Sequence, residues 1–338
     1  MPTISVASVK AELDDYIDNN KDVISVGVYA GEVQLDKYCK KISSVKGKYP
    51  QFHKILSRVV QGFKAEWQAL GEMQFRAKVL QNFRQKVNLP IIVDEIYGTW
   101  LSDLKIEGKT PEEQPISKLI IQELLEKVID DLSDLSIIGD TSAGVADGNF
   151  GYSVNGIGKV ISLALANAVN PVYRIPLEAI VPANILDMFK QFERTIPSKV
   201  RKKVKQVFCS DNVKLMYGDA VVEKYGDHTN YSDDRTGKTE TYKFELVGLE
   251  GLADDVIFAT ADGNMLKLID VIDNPPTITD TQVQDYVLKI FMEFHLGYDF
   301  AINEIVFVAD FNALAVAGLQ SNALNALYYD AENLPLIV

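Results

Sequence analysis

The segment from Pro115 to Ile138, PISKLIIQELLEKVIDDLSDLSII, is the longest strongly periodic stretch in this chain of 338 residues, and it constrains the rest most. Ile116, Leu119, Ile120, Leu124, Leu125, Val128, Ile129, Leu132 and Leu135 recur at spacings of three and four, which on a helix makes one broad apolar stripe. Glu123, Lys127, Asp130 and Asp134 fall away from it. Pro115 suits a first helical turn, where a missing N–H costs nothing, and Gly139 stands where a helix is expected to end. Roughly 20 to 24 residues span about 30 to 35 Å, well beyond the usual helix of about 11 or 12 residues. Such a helix can carry a flat sheet. The residues before it read as extended or projecting, and those after it as compact.

The apolar fraction of 47% and charged fraction of 24% are those of a folded protein, so wholesale disorder is not expected. A net charge of −13 argues against wrapping nucleic acid, which needs lysine and arginine to neutralise phosphates, and suits a surface that DNA slides past. No apolar run is long enough to cross a bilayer, and MPTISVASVKAELDDY has no basic region followed by a hydrophobic one. Synthesis and residence in a cytoplasm are therefore expected. Cys39 and Cys209, far apart in sequence, are expected to be reduced thiols.

In chain order, residues 1–66 show short amphipathic helical patterns, one over Val6 to Asn19 and another around His53 to Phe63. From Ala65 the period becomes two. Phe75, Ala77 and Val79 share one parity and Phe83, Val87 and Leu89 a shifted one, which predicts strands with a bulge or bend between them. Arg76, Lys78, Arg84 and Lys86 wet both faces, so this hairpin reads as a projection that a neighbour stabilises. A short apolar patch with Trp100 and a turn through IEGKTPEEQP lead into the long helix. Beyond it come a glycine-rich loop, the apolar run KVISLALANAV and an amphipathic helix over Val181 to Glu193. The basic run Lys199, Arg201, Lys202, Lys203 and Lys205 leads to a buried strand, QVFCS, and a helix capped by Asp211 or Asn212 and ended by Gly226. TYKFELVGL, DDVIFAT and NMLKLIDV read as three strands turning at Gly248, Gly251 and Gly263, in a separable central lobe. The final pair of long strands places Leu288, Ile290, Met292, Phe294 and Leu296 on one face, with reversal at GYD.

The search for chemistry yields no catalytic, cofactor-binding or metal-binding residues. Gly237-Lys238-Thr239 matches the end of a phosphate-binding loop, but Ser232 replaces its first glycine and a strand follows. Gly151 and Gly156 share the spacing with Ile157 in place of the lysine. Asp147-Gly148-Asn149 lacks the glutamate of a calcium loop, and turn chemistry accounts for it. His53, His228 and His295 read as structural or contact residues, and Asp233-Asp234 and Asp254-Asp255 as solvated turns. Before Phe208 the basic run has no aromatic residue, so it offers no stacking site for bases.

The order of these pieces carries a resemblance. KVNLPIIVDEIYGTWL leading into LIIQELLEKVIDDLSDLSIIGD resembles the passage from the projecting hairpin, or E-loop, to the spine helix of tailed-bacteriophage major capsid proteins. SVNGIGKVI resembles the opening of their peripheral P-domain, and QVFCSDNVKLMYGDAVVEKYG the strand and helix of their axial A-domain. DDVIFATADGNMLKLIDV is similar to the A-domain strand pair, with Asn264 and Asp270 in place. The resemblance covers about residues 65 to 310. It implies an α+β capsid fold: N-terminal arm 1–65, E-loop-like hairpin and connection 66–114, P-domain 115–204 with spine helix 115–138, A-domain 205–275, and return strands with the C-terminus 276–338. The implied function is self-assembly through pentamers and hexamers into the icosahedral shell around the double-stranded DNA of a tailed phage, in the virion, after assembly in the bacterial cytoplasm. Partners implied are copies of itself, portal, scaffolding or decoration proteins, and packaged DNA bound without sequence specificity. No enzyme activity, membrane contact or cofactor is expected.

No charged coiled coil precedes the arm, so a cleavable scaffolding region is expected to be absent or to lie on another protein. Some relatives join a lysine to an asparagine. Lys78 and Lys86 are available here, but no partner asparagine or activating glutamate is identifiable, and crosslinking is not expected. Lys199 to Lys205 are candidates for intersubunit pairing with acidic surfaces. The alternatives are an encapsulin-type compartment shell of the same fold and, more remotely, a metabolic enzyme whose pocket would gather ionisable groups.

Overall fold

Helix α4 (Ile116–Ile138) forms over the length set by its apolar stripe, and its ends are made differently from expectation. Pro115 lies one position before the helix in extended conformation, and Gly139 caps it at φ −54°, outside the left-handed region. Gly139 is a glycine for want of space: a Cβ there would lie 2.4 Å from the Val154 carbonyl oxygen and 2.7 Å from that of Leu135. Gly156, at the N-cap of α5 (Ile157–Ala166), is pressed in the same way on the Ile137 backbone. The chain entering α5 can therefore lie directly against the end of α4.

A computed structural model of the chain describes residues 5–30, 33–56, 59–71, 73–107, 110, 115–143, 148–226, 237–272, 275–312 and 314–329. Helices α1 (Val6–Asn19) and α2 (Lys21–Ala30) pack on α4. Ser5 and Ser8 close a reciprocal capping box at the start of α1, which buries Val9, Leu13 and Ile17. Residues before the long helix are thus more helical and more packed than expected. Tyr29 in α2 donates a hydrogen bond of 2.9 Å to the His295 carbonyl and ties this helical layer to the sheet.

That sheet contains β1 (Lys40–Ile42), β4 (Phe83–Ile92), β9 (Met265–Ile269), β10 (Thr277–Gln284) and β11 (Val287–Phe300). β11 pairs with β10 and β4 along its first part and with β9 along its last. Leu288, Ile290, Met292, Phe294 and Leu296 are all buried, as their alternation requires. The expected reversal at GYD does not occur. Residues 297–299 continue β11, and the turn lies earlier, at Asp285 (φ 54°). Gly297 pairs with Leu268 in the strand, and it is a glycine because a Cβ there would meet the Gln81 carbonyl oxygen at 2.5 Å.

A second sheet runs in the order β5 (Tyr173–Pro176), β12 (Val306–Asp310), β8 (Phe258–Ala261), β6 (Val204–Ser210), β7 (Glu245–Leu249). Helices α6 (Ile185–Thr195) and α8 (Asp211–Tyr225) cover it through Phe189, Phe192, Tyr217 and Val221. The three strands read as one lobe are divided between the sheets: β7 and β8 stay here, while β9 pairs with β11. Gly248 lies within β7, beside Asp211, and only Gly251 and Gly263 make turns. The cap of α8 is Ser210, whose hydroxyl accepts from Val213 N–H, so Asp211 is the first helical residue.

The short apolar patch of Pro90 to Leu104 is the end of one strand and the start of a helix. β4 ends at Ile92 and α3 (Val93–Glu107) begins at once, burying Trp100 and Leu104. A two-stranded sheet of β2 (Lys48–Leu56) and β3 (Met73–Gln81), short α7 (Ser198–Arg201) and α9 (Asn322–Tyr329) complete the described elements. The helix expected around His53 to Phe63 is absent: residues 48–56 are strand and 59–63 lack regular structure. Nine backbone partner pairs from Lys48↔Gln81 to Leu56↔Met73 override the helical spacing of a short apolar run.

Candidate assembly surface

The β2–β3 hairpin has its faces reversed relative to an ordinary surface sheet. Directly paired residues share a face, so Pro50, Phe52, Lys54 and Leu56 join Val79, Ala77, Phe75 and Met73 on one side. That side is the exposed one, with Phe52, Phe75 and Val79 at 65%, 64% and 59% exposure. The other side, with Gln51, His53, Ile55, Gln74, Arg76, Lys78 and Leu80, is half-buried or buried and carries Arg76 and Lys78, while Lys48 and Lys54 stay on the exposed side. In a single soluble chain the apolar face should be the covered one.

The charged face is fixed to the body by specific bonds. Lys78 Nζ donates to Asp299 Oδ1 at 2.5 Å, Asn303 Oδ1 at 2.6 Å and the Phe300 carbonyl at 2.8 Å. Arg76 Nε stands 3.4 Å from Glu304 Oε1, and its Nη2 donates to the Val169 carbonyl. His53 Nε2 is 2.6 Å from the Tyr328 hydroxyl of α9. Asn82, between β3 and β4, donates to the Val45 carbonyl at 2.6 Å. Burial pushes the Asp299 and Glu304 carboxyls above their ordinary range, with Lys78 pulling Asp299, and Arg76 pulling Glu304, the other way. Burial first, then repulsion from Arg76 and Lys78, holds the His53 imidazole below its ordinary 6.5.

Beyond these strands, residues 59–71 are all exposed, including Val60 at 90%, Phe63 at 97% and Trp67 at 91%. Aromatic side chains bury about 150 to 250 Å² each, so the tip and outward face together present several hundred Å² of apolar area, a size that marks interaction sites. The hairpin is thus firmly attached at its root and uncovered at its apolar tip and outer face.

The hairpin expected within residues 66–114, wet on both faces, does not form. β3 pairs with β2, the segment read as a helix, while β4 bends away at Asn82 and pairs with β11 over Phe83 to Ile92. Consequently Lys78 sits in the root network, whereas Lys86 lies opposite Glu293 in the main sheet. His295 lies opposite Arg84, which pairs with Glu293.

The remaining candidates resolve into structural roles. Thr239 is buried and bonds Phe244 in both directions at 2.9 Å, so Gly237-Lys238-Thr239 closes a turn. Asp254 accepts from the Ser210 hydroxyl rather than facing only solvent. Asn264 bonds Thr260 and both backbone groups of Ile302, and Asp270 is buried. Cys39 and Cys209 are free thiols, and burial pushes Cys209 up to about 12. Asp147, His228, Ser232, Asp233, Asp234 and most of IEGKTPEEQP lie outside the described residues.

Among the described residues no group of His, Cys, Asp or Glu could hold a metal ion, and no helix is long and apolar enough to cross a membrane. A cavity of about 560 Å³ between α4 and β4 has an apolar floor of Val128, Leu132, Leu135 and Phe294, with the Arg84–Glu293 pair at its rim.

No protein-family model and no curated protein matches the sequence. Solved structures do match in three dimensions. The capsid of an empty GTA particle aligns at a TM-score of 0.53 and 10% identity, over 83% of this chain and 90% of that one. The procapsid of satellite phage P4 with its size determination (Sid) protein gives 0.51 and 7%, over 87% and 98%. The capsid of Myoviridae phage XM1 gives 0.51 and 9%, over 82% and 92%. The chain has the tailed-phage major capsid protein fold.

Proposed function

We propose that this chain is a major capsid protein, the repeating subunit of a closed shell. The observation that carries the reading is the reversed hairpin: a face containing Phe52, Phe75 and Val79 is left open while Arg76 and Lys78 are turned inward. A face of this kind is satisfied when a second copy covers it, and in a shell every copy both gives and receives that contact. The fold shared with capsid structures supports the same reading.

On this reading the chain works as a structural subunit and catalyses no reaction. Residues 48–81 act as the E-loop, α4 is the spine of the P-domain, and the sheet β5-β12-β8-β6-β7 with α6 and α8 supplies most of the A-domain. Pentamers and hexamers then form through A-domain contacts, in a virion assembled in a bacterial cytoplasm with portal and scaffolding or decoration proteins. The net charge of −13 fits a lining that does not adsorb packaged DNA.

Sedimentation velocity of the purified full chain tests this. Pentameric, hexameric or particle-sized species are expected, and a monomer at all concentrations and salts contradicts it.

A further inference from the structure

The folded chain brings to the basic run what its sequence lacks. Tyr242, Lys243 and Phe244 join Arg201, Lys202 and Lys205 around a concavity of about 560 Å³, and no carboxylate lines it. This convergence of cations occurs in a chain whose net charge is −13.

Arg201 is held rigidly. Its Nε donates to the Ile196 carbonyl at 3.0 Å, Nη2 to that of Arg194 at 2.9 Å, and Nη1 to the Tyr242 hydroxyl at 2.6 Å. The guanidinium carbon lies 4.4 Å from the Tyr242 ring centre. Among the described residues Arg201, Lys202 and Lys243 pair with no carboxylate, and Lys205 meets Asp262 at the exposed rim. Lys243 has φ 60°, a left-handed conformation that is strained for a residue with a side chain. The bonds between Thr239 and Phe244 keep the corner in that shape.

We propose that this concavity binds a compact phosphoryl polyanion such as condensed inorganic phosphate. Several cations from separate elements match clustered phosphoryl oxygens by charge, Arg201 contributing a fixed positive charge because most of its N–H groups are already donated to Ile196, Arg194 and Tyr242. The volume is that of a small-ligand site, which usually spans about 300 to 1,000 Å³. Arg201 covers one side of the Tyr242 ring, Phe244 stacks beside it at 5.9 Å, and Phe244 is itself buried. Tyr242 is already engaged by Arg201 and Phe244, and the groups that converge on the concavity are cations, so recognition is by charge. A concave site also fits a compact anion better than the flat acidic surface of another subunit. The inference does not depend on the shell reading.

Titration calorimetry of inorganic triphosphate into the full chain tests it, with a single-stranded oligodeoxynucleotide and a glutamate-rich peptide as parallel arms. Triphosphate is expected to saturate one site, with affinity falling as salt rises. Lys202→Ala/Lys243→Ala, both exposed, should keep the melting temperature and weaken binding about tenfold or more. Lys243→Gly should melt higher, because the strain is relieved, and still bind more weakly. Absence of binding, unchanged affinity in the double variant, or binding of the oligonucleotide or peptide without triphosphate overturns the proposal.

Discussion

Phe75 and Arg76 are neighbours on β3 with opposite surroundings: Phe75 is 64% exposed, while Arg76 turns inward to Glu304, 3.4 Å away. Alternation along a strand obliges one of the two to face out. Here the apolar one does, and its exposure costs folding stability unless a partner covers it. The inward charges make the arrangement rigid, since Arg76, Lys78 and His53 each have a specific partner on the body.

Substituting the outward face should separate assembly from folding. Phe52→Ser/Phe75→Ser removes no large buried contact within the chain, so unfolding free energy should change by less than about 1 kcal/mol. Assembly should fail. Urea unfolding and sedimentation of the same preparation check both halves.

The root should behave in the opposite way. Lys78→Met leaves the Asp299 carboxyl buried without its cation, and such a loss costs about 3 kcal/mol or more. Adding Asp299→Asn should recover part of it, because a neutral amide is easier to bury. The pair of variants is compared by urea unfolding.

Acid should weaken the root through His53. Its imidazole is held below 6.5, so the unfolded chain binds the proton more readily. The His53 contribution is present above pH 6.5 and is lost as pH falls through the lowered folded value. Asp299 and Glu304, with raised values, act oppositely: their contribution is fully present below the ordinary carboxyl range and declines as pH rises through their folded values. Melting temperature against pH should therefore fall more steeply on acidification in the wild type than in His53→Gln.

Gly297 should tolerate no side chain. A Cβ would stand 2.5 Å from the Gln81 carbonyl oxygen and 2.9 Å from Asn82 Cα, both backbone atoms. Gly297→Ala should destabilise by about 1 to 3 kcal/mol. The same experiment at Gly218, where the space is open, should be close to neutral or stabilising.

The sequence made legible those elements whose signal is local and long. The stripe of α4, the alternation of β11 and the capped pattern of α1 each specify themselves. Elements set by distant partners were hidden. His53 to Leu56 have helical spacing and become strand because Arg76 to Met73 lie alongside. Gly297 looks like a turn signal and is a glycine because Gln81 crosses there. The basic groove was also invisible, since Tyr242 and Lys243 reach Arg201 only through folding. Phe52, Leu56, Phe75 and Val79 become one apolar face only through the pairing of β2 with β3, which no local pattern specifies.

Electron cryomicroscopy of particles formed by the full chain tests the central claim most directly. The account predicts that residues 48–81 of each copy lie across an adjacent copy, with Phe52, Phe75 and the Phe63–Trp67 tip covered. Particles in which that face stays open to solvent, or a chain that never leaves the monomeric state, would contradict it.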